Sequence, residues 1–290
     1  MIATSSNPKA SDRSRTDGRL DITVVSEGAA TAVSDLYQRT PLRALFPRVE
    51  VGEPTTAVLV NSSGGVVGGD RLAINVDAGE GTSLLLTGQA AEKVYRSAGP
   101  EARAFTTLTA NEGSFVEFLP QGTIIFDGAR FRRTTTVDAS RAARVTAGEV
   151  LTLGRVARNE RFSNGLLHDE WRIKRDGRLV WVDALHLSDS DAGNIGAALD
   201  SSAGFAGSPG YATFMYVADD AATYVELARA IQAETPDGVR RGVTSFDGVL
   251  VARWLGDNPA EVRTAYGRFW ARFRAEACGM KERLPTIWNI

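Results

Sequence analysis

The residues of this sequence best placed to do chemistry are carboxylates set in otherwise apolar or neutral stretches. Asp183 interrupts Leu179 to Leu187, Glu149 interrupts Thr146 to Leu153, Glu92 stands beside Lys93, and Asp70 closes the run Asn61-Ser-Ser-Gly-Gly-Val-Val-Gly-Gly-Asp70. Burying an unpaired carboxylate is costly, so each must be paired, face outward, or line a wet cavity. Outward exposure is the ordinary outcome. Facing inward together, they would form a hydrated acidic path on which divalent cations bind weakly and exchange quickly. For Asp70 the ordinary role is turn capping, with a lone oxygen ligand as the alternative.

Other chemistries lack their residues. The glycine run has neither the G-x-G-x-x-G spacing nor a G-K-[ST] ending, and a strand follows it, so its paired glycines read as bulges or a close backbone approach instead of a phosphate cradle. The soft metal donors are His168, His186 and Cys278, far apart in sequence, which argues against a strong permanent nickel or zinc site. His186 shares strand parity with neither Asp183 nor Trp181 and reads as a satisfied, half-buried histidine. There is no nucleophile elbow, no recognisable carboxylate pair and no activated cysteine. The expectation is a protein without catalytic residues or a permanently bound cofactor.

The elements that must position these acids are mostly strands. From Leu20 to about Val182, short β-branched runs are broken by Gly, Asp or Asn, and Leu72, Ile74 and Val76 alternate with Arg71, Ala73, Asn75 and Asp77. Gly-bearing connections of hairpin length, Asp77 to Gly81 and Asn111 to Gly113, predict mostly antiparallel neighbours. Helical spacing is confined to Ala218 to Ala233 and Pro259 to Cys278, the second opened by Asp257 or Asn258 before Pro259. The fold class is therefore all-β dominated: stacked, mostly antiparallel sheets with about two helices near the C-terminus. Residues 1–18 read as a disordered tail and 19–290 as one β-rich domain with its helical portion at about 218–278. Ile287 and Trp288 are apolar residues almost at the chain end, so that tail must dock, on its own domain or on another subunit.

Composition narrows the partners. With 290 residues and 43% hydrophobic content the chain can bury a large core, and 33 basic against 35 acidic residues give no field for nucleic acid or an anionic membrane. One cysteine excludes an internal disulfide, no apolar run approaches the roughly 18 residues of a membrane span, and the start lacks an apolar signal core. The expected compartment is the cytoplasm.

Seven pieces, in order along the chain, resemble the urease accessory proteins of the UreD (UreH) family: Pro41-Leu-Arg43 with Phe46-Pro47; Gly64-Gly-Val-Val-Gly-Gly-Asp70; Leu84 to Thr87 followed by Lys93-Val-Tyr-Arg-Ser97; Leu119-Pro-Gln121 with Thr123 to Arg130; Leu153-Gly-Arg155; Arg253-Trp-Leu-Gly256; and Pro285 with Ile287-Trp288. Against the family pattern, Asn61-Ser62-Ser63 replaces His-Pro-Pro, Thr286 replaces Arg, and Glu92 stands where a small or hydroxyl residue is expected.

The resemblance implies a β-rich fold of stacked sheets with a small helical part. It also implies a non-enzymatic scaffold that binds apo-urease on one side and UreF on the other, UreF recruiting the GTPase UreG that carries nickel, with a homodimer among the assemblies it allows. Nickel would pass through a water-filled interior route, whose family positions fall on Asp70, Glu92, Glu149 and Asp183, while Trp288 and Ile287 are candidate partner contacts. A structural clamp on apo-urease without ion passage and a stand-alone β-fold hydrolase are the alternatives.

Overall fold

The computed structural model of the chain describes residues 15–28, 30–190 and 194–289. Its strands are β1 (Asp17–Glu27), β2 (Ala30–Arg39), β3 (Leu42–Leu45), β4 (Thr55–Asn61), β5 (Arg71–Ala78), β6 (Ser83–Gly88), β7 (Glu92–Val94), β8 (Ala102–Ala110), β9 (Phe115–Leu119), β10 (Thr123–Ile125), β11 (Arg130–Ala139), β12 (Arg144–Leu153), β13 (Leu166–Arg175), β14 (Arg178–Ser188), β15 (Gly210–Val217), β16 (Val239–Phe246) and β17 (Val249–Gly256). Among the described residues three α-helices accompany them: α1 (Ile195–Asp200), α2 (Val225–Ala233) and α3 (Pro259–Cys278). Residues 1–14 of the expected tail lie outside the described residues, whereas Asp17 and Gly18 already belong to β1.

Two sheets stack. The first runs β14-β13-β11-β8-β5-β1-β2 and the second β16-β17-β15-β12-β9-β6-β4-β3, with β10 pairing β12 and β7. The β-rich stacked class is as expected, but the antiparallel sense is not. In the central strands β1/β5, β5/β8, β8/β11 and β11/β13 are parallel, as are β4/β6, β6/β9 and β9/β12. The reason lies in the connections. Asp77 to Gly81 and Asn111 to Gly113 do not fold the chain back within a sheet; they carry it from the first sheet to the second. Each of these central strands thus returns to its own sheet only after a strand in the other, which supplies the long crossover that parallel pairing needs. Successive connections stack on one another, Asn111 N–H donating to Ala78 O at 3.0 Å and Ser140 N–H to Ala110 O at 2.8 Å.

Alternation then sorts side chains into two cores. Leu20, Ile22, Val24, Leu84, Leu86 and Leu108 fill the space between the sheets. The opposite face of the second sheet is covered by α2 and α3, where the Phe214 ring lies 4.9, 5.1 and 5.0 Å from those of Phe269, Trp270 and Phe273. Helix α3 begins where expected: Asn258 Oδ1 accepts the Ala260 N–H at 3.1 Å with Pro259 in the first turn. The helical portion is not continuous, because the β16/β17 hairpin separates α2 from α3, and α1 has no counterpart in the expected elements.

A buried ion cluster fastens α3 to the sheet. Glu117 points from β9 toward the helices and accepts from Trp270 Nε1 at 3.0 Å and from Arg274 Nε at 2.9 Å and Nη2 at 2.7 Å. Arg274 also reaches Glu53 at 3.1 Å. Beside it the Cys278 thiol is buried, and burial pushes it up to about 12, so it stays protonated and unreactive.

Candidate functional site: the acid-lined space between the sheets

The chain-end residues are placed first by the structure. Trp288 is 2% exposed, its indole donates to Leu119 O at 3.3 Å, and the Arg263 guanidinium lies 4.3 Å from its ring centre. Gln121 Nε2 donates to Ile287 O at 2.8 Å. The tail therefore docks on its own domain, and Trp288 is withdrawn from the surface a partner could touch; Ile287 is half-buried. His186 is also corrected: it is exposed, on the outer face of β14, where it pairs with His168 of β13.

Between the sheets lies a cavity of about 310 Å³ whose lining includes Glu92, Glu149, Arg133, Asn61, Thr123 and Trp171. Three short steps of backbone geometry build it. Strand β7 brings Glu92 opposite Thr123 of β10, β10 lies beside β12, and β12 alternates Ala147, Glu149 and Leu151 toward the interior. Across from them, β11 and β13 set Arg133 against Asp169 in register. The glycine run closes one side because its backbone comes very near the next segment. A Cβ on Gly65 would sit 2.4 Å from Tyr95 Cε2 and one on Gly68 would sit 2.6 Å from Pro100 O, so close approach is the role of these paired glycines.

Arg133 is the hub. Its Nε donates to Asp169 Oδ1 at 2.8 Å, its Nη1 to Thr123 Oγ1 at 3.0 Å, and its Nη2 to both Glu149 and Asp169. Trp171 Nε1 donates to Glu149 Oε1 at 2.9 Å. Glu92 accepts from Asn61 Nδ2 at 3.1 and 3.3 Å. Burial raises the Glu92 carboxyl, with the Asn61 hydrogen bond, the Lys93 backbone and the Arg133 charge pulling it back and the charge of Asp70 adding to the rise. Burial likewise raises Asp169, against the pull of Arg133. Arg43 and Lys93 also line the cavity, but Arg43 is turned to Leu42 O at 3.1 Å and Lys93 is exposed. Two carboxylates, Glu149 and Asp169, thus meet one guanidinium in the interior, and the Glu92 carboxylate, held by Asn61, feels the Arg133 charge without touching it, so the interior is short of positive charge.

The four acids singled out in the sequence are divided by the structure. Glu92 and Glu149 line one cavity. Asp70 is buried nearby but spends its oxygens on backbone, Oδ1 accepting Thr16 N–H at 3.1 Å and Oδ2 accepting Val67 N–H at 3.0 Å, which is the capping role. Asp183 stands on β14 at the sheet edge, half-buried and ion-paired with Arg253 of β17. The charges of Asp183, Arg253 and Asp169 all reach the hydroxyl of the half-buried Tyr211, whose oxygen accepts from Thr213 Oγ1 at 2.9 Å. Arg133 and Asp169 were missed from the sequence; the parity of Asp169 with Leu167, Trp171 and Ile173 was the available signal. Among the described residues no three His, Cys, Asp or Glu side chains converge to hold a metal ion, and no helix is long and apolar enough to cross a membrane.

These features define a two-layer β protein with ion-paired carboxylates held between its sheets and a helical layer on one outer face. The model of the family described as UreD urease accessory protein matches residues 16–289, and the chain belongs to that family. Similar relatives include the urease accessory protein UreD of Magnetococcus marinus, 38% identical over 276 residues and covering 94% of each chain. Urease accessory protein UreD 1 of Methylobacterium radiotolerans is 39% identical over 280 residues, 96% of this chain and 93% of its own. The UreD of Xanthobacter autotrophicus is 39% identical over 278 residues, 95% and 91%.

Proposed function

We propose that this chain acts in the cytoplasm as a scaffold in urease maturation, holding apo-urease and the UreF–UreG complex together while nickel, the cargo, is delivered in a GTP-dependent step. It makes and breaks no covalent bond itself; GTP hydrolysis belongs to UreG. The observation that carries the transit role is the cavity in which Glu92 and Glu149 share a charge-deficient interior with Arg133. Carboxylate oxygens held this way attract a divalent ion without closing a full coordination shell around it, which suits passage better than storage. Asp70 and Asp183 would act from outside the cavity, through their charge.

The clamp without ion passage is the second reading, favoured by the engagement of Glu149 by Arg133 and Trp171. Maturation itself is tested by supplying urease subunits, UreF and UreG with and without this chain. Urease activity that is low without the chain and restored with it is the expected result; equal activity in both would refute the accessory role.

A further inference from the structure

We propose that the His168/His186 pair is a two-imidazole binding site for a divalent transition-metal ion, on the outer face of the first sheet and separate from the inter-sheet cavity. The two residues are directly opposite each other across β13 and β14, and β14 is the edge strand. Their Nδ1 atoms are 3.2 Å apart, with ring centres 5.3 Å apart at 66°.

That separation is the bite of a chelate. With metal–nitrogen bonds of about 2.0–2.1 Å, nitrogens this far apart subtend an angle of about 100° at the metal, between the roughly 90° of octahedral and the roughly 109° of tetrahedral sites. Without metal the rings face each other as an N–H···N hydrogen bond; a small turn of the exposed His186 ring aims both lone pairs at a common point. The surroundings permit a cation. Glu170 Oε2 lies 3.8 Å from His168 Nε2, on the side of the ring away from the paired Nδ1 atoms, so a negative charge stands close to the pair. The nearby guanidiniums are neutralised, Arg172 by Glu170 at 2.9 Å and Arg132 by Glu101 at 2.7 Å. Two imidazoles with water in the remaining positions select Cu²⁺ over Ni²⁺ and Zn²⁺, as expected for nitrogen donors.

The site does not depend on the proposed function, and its test uses the full chain without a histidine tag. Titration with Ni²⁺ alone, followed calorimetrically, is expected to show a site weakened at least tenfold by His186→Asn and by His168→Asn. Cu²⁺ alone should give an electron paramagnetic resonance spectrum with two coupled imidazole nitrogens. The double variant Glu92→Gln/Glu149→Gln should bind at the histidine site as the unsubstituted chain does. Circular dichroism checks that each variant is folded, which the surface position of His186 favours. Unchanged Ni²⁺ affinity in folded His186→Asn, or a copper spectrum that keeps both nitrogens in that variant, would overturn the proposal.

Discussion

Asn61, at the head of the glycine run, and Glu92 are hydrogen-bonded to each other, Asn61 Nδ2 reaching the two carboxylate oxygens at 3.1 and 3.3 Å. The same amide nitrogen lies 3.3 Å from Gly65 O, so one side chain ties the glycine run to the acid that lines the cavity. An Asn amide is a donor that carries no charge and cannot titrate, so it holds Glu92 in place without neutralising it.

This arrangement sets a pH dependence. Burial raises the Glu92 carboxyl, so the folded chain holds that proton more tightly than the unfolded chain does. Stability attributable to Glu92 is then highest below the ordinary carboxyl range, about pH 4, and is lost as pH rises through the elevated folded value. Glu92→Gln, which still accepts from Asn61, should therefore be more stable than the unsubstituted chain at pH 7, with the difference shrinking toward pH 4. Urea unfolding at a series of pH values measures this; a gap that widens on acidification would contradict it.

Glu117 is fully buried and holds Arg274 and Trp270. Glu117→Ala leaves the buried guanidinium with Glu53 alone of these two carboxylates, unpairs the Trp270 indole, and should cost about 3 kcal/mol. Chemical denaturation is the check, and a loss below about 1 kcal/mol would show that the helical layer is held by its aromatic packing alone.

Trp288 fills a site between Leu119, Arg263 and Tyr266, its ring 6.0 Å from that of Tyr266. Trp288→Ala should lower stability by about 3–5 kcal/mol, as for other large-to-small changes of a buried tryptophan. If the residue instead served a partner, the isolated chain would keep its unfolding midpoint and only complex formation would suffer.

Gly65 has φ +152° and no room for a side chain against Tyr95 and the Lys93 carbonyl. Gly65→Ala should cost about 1–3 kcal/mol by forcing the run away from β7. Thermal unfolding reads it, and an unchanged midpoint would mean that the run is free to shift.

What could be read from the sequence was whatever leaves a local pattern. The alternation of Leu72, Ile74 and Val76, and the cap at Asn258-Pro259, have mechanisms confined to a few neighbouring residues, and β5 and α3 formed accordingly. Strand β15 was not legible because it is buried on both faces apart from Tyr211, which erases alternation. Pairing sense was misread because a Gly-bearing connection such as Asp77 to Gly81 has the same residues whether it reverses within a sheet or steps to the next one. Of the site, the odd acids were visible, but which of them share a cavity depends on register between distant strands. Glu149 meets Arg133 through the β11–β12 crossing, and Asp183 finds Arg253, 70 positions away in sequence. The outward-facing default also failed at Glu149, since its compensating guanidinium lies in another strand.

The most direct measurement is the nickel content of urease matured by the Glu92→Gln/Glu149→Gln chain, co-expressed with the urease subunits, UreF and UreG. These changes keep the Asn61 and Trp171 hydrogen bonds and leave Arg133 paired with Asp169, so the complex should still co-purify. Nickel per urease active site should fall at least severalfold. A full complement of nickel in urease from that strain would contradict passage through the inter-sheet cavity and leave the clamp as the working description.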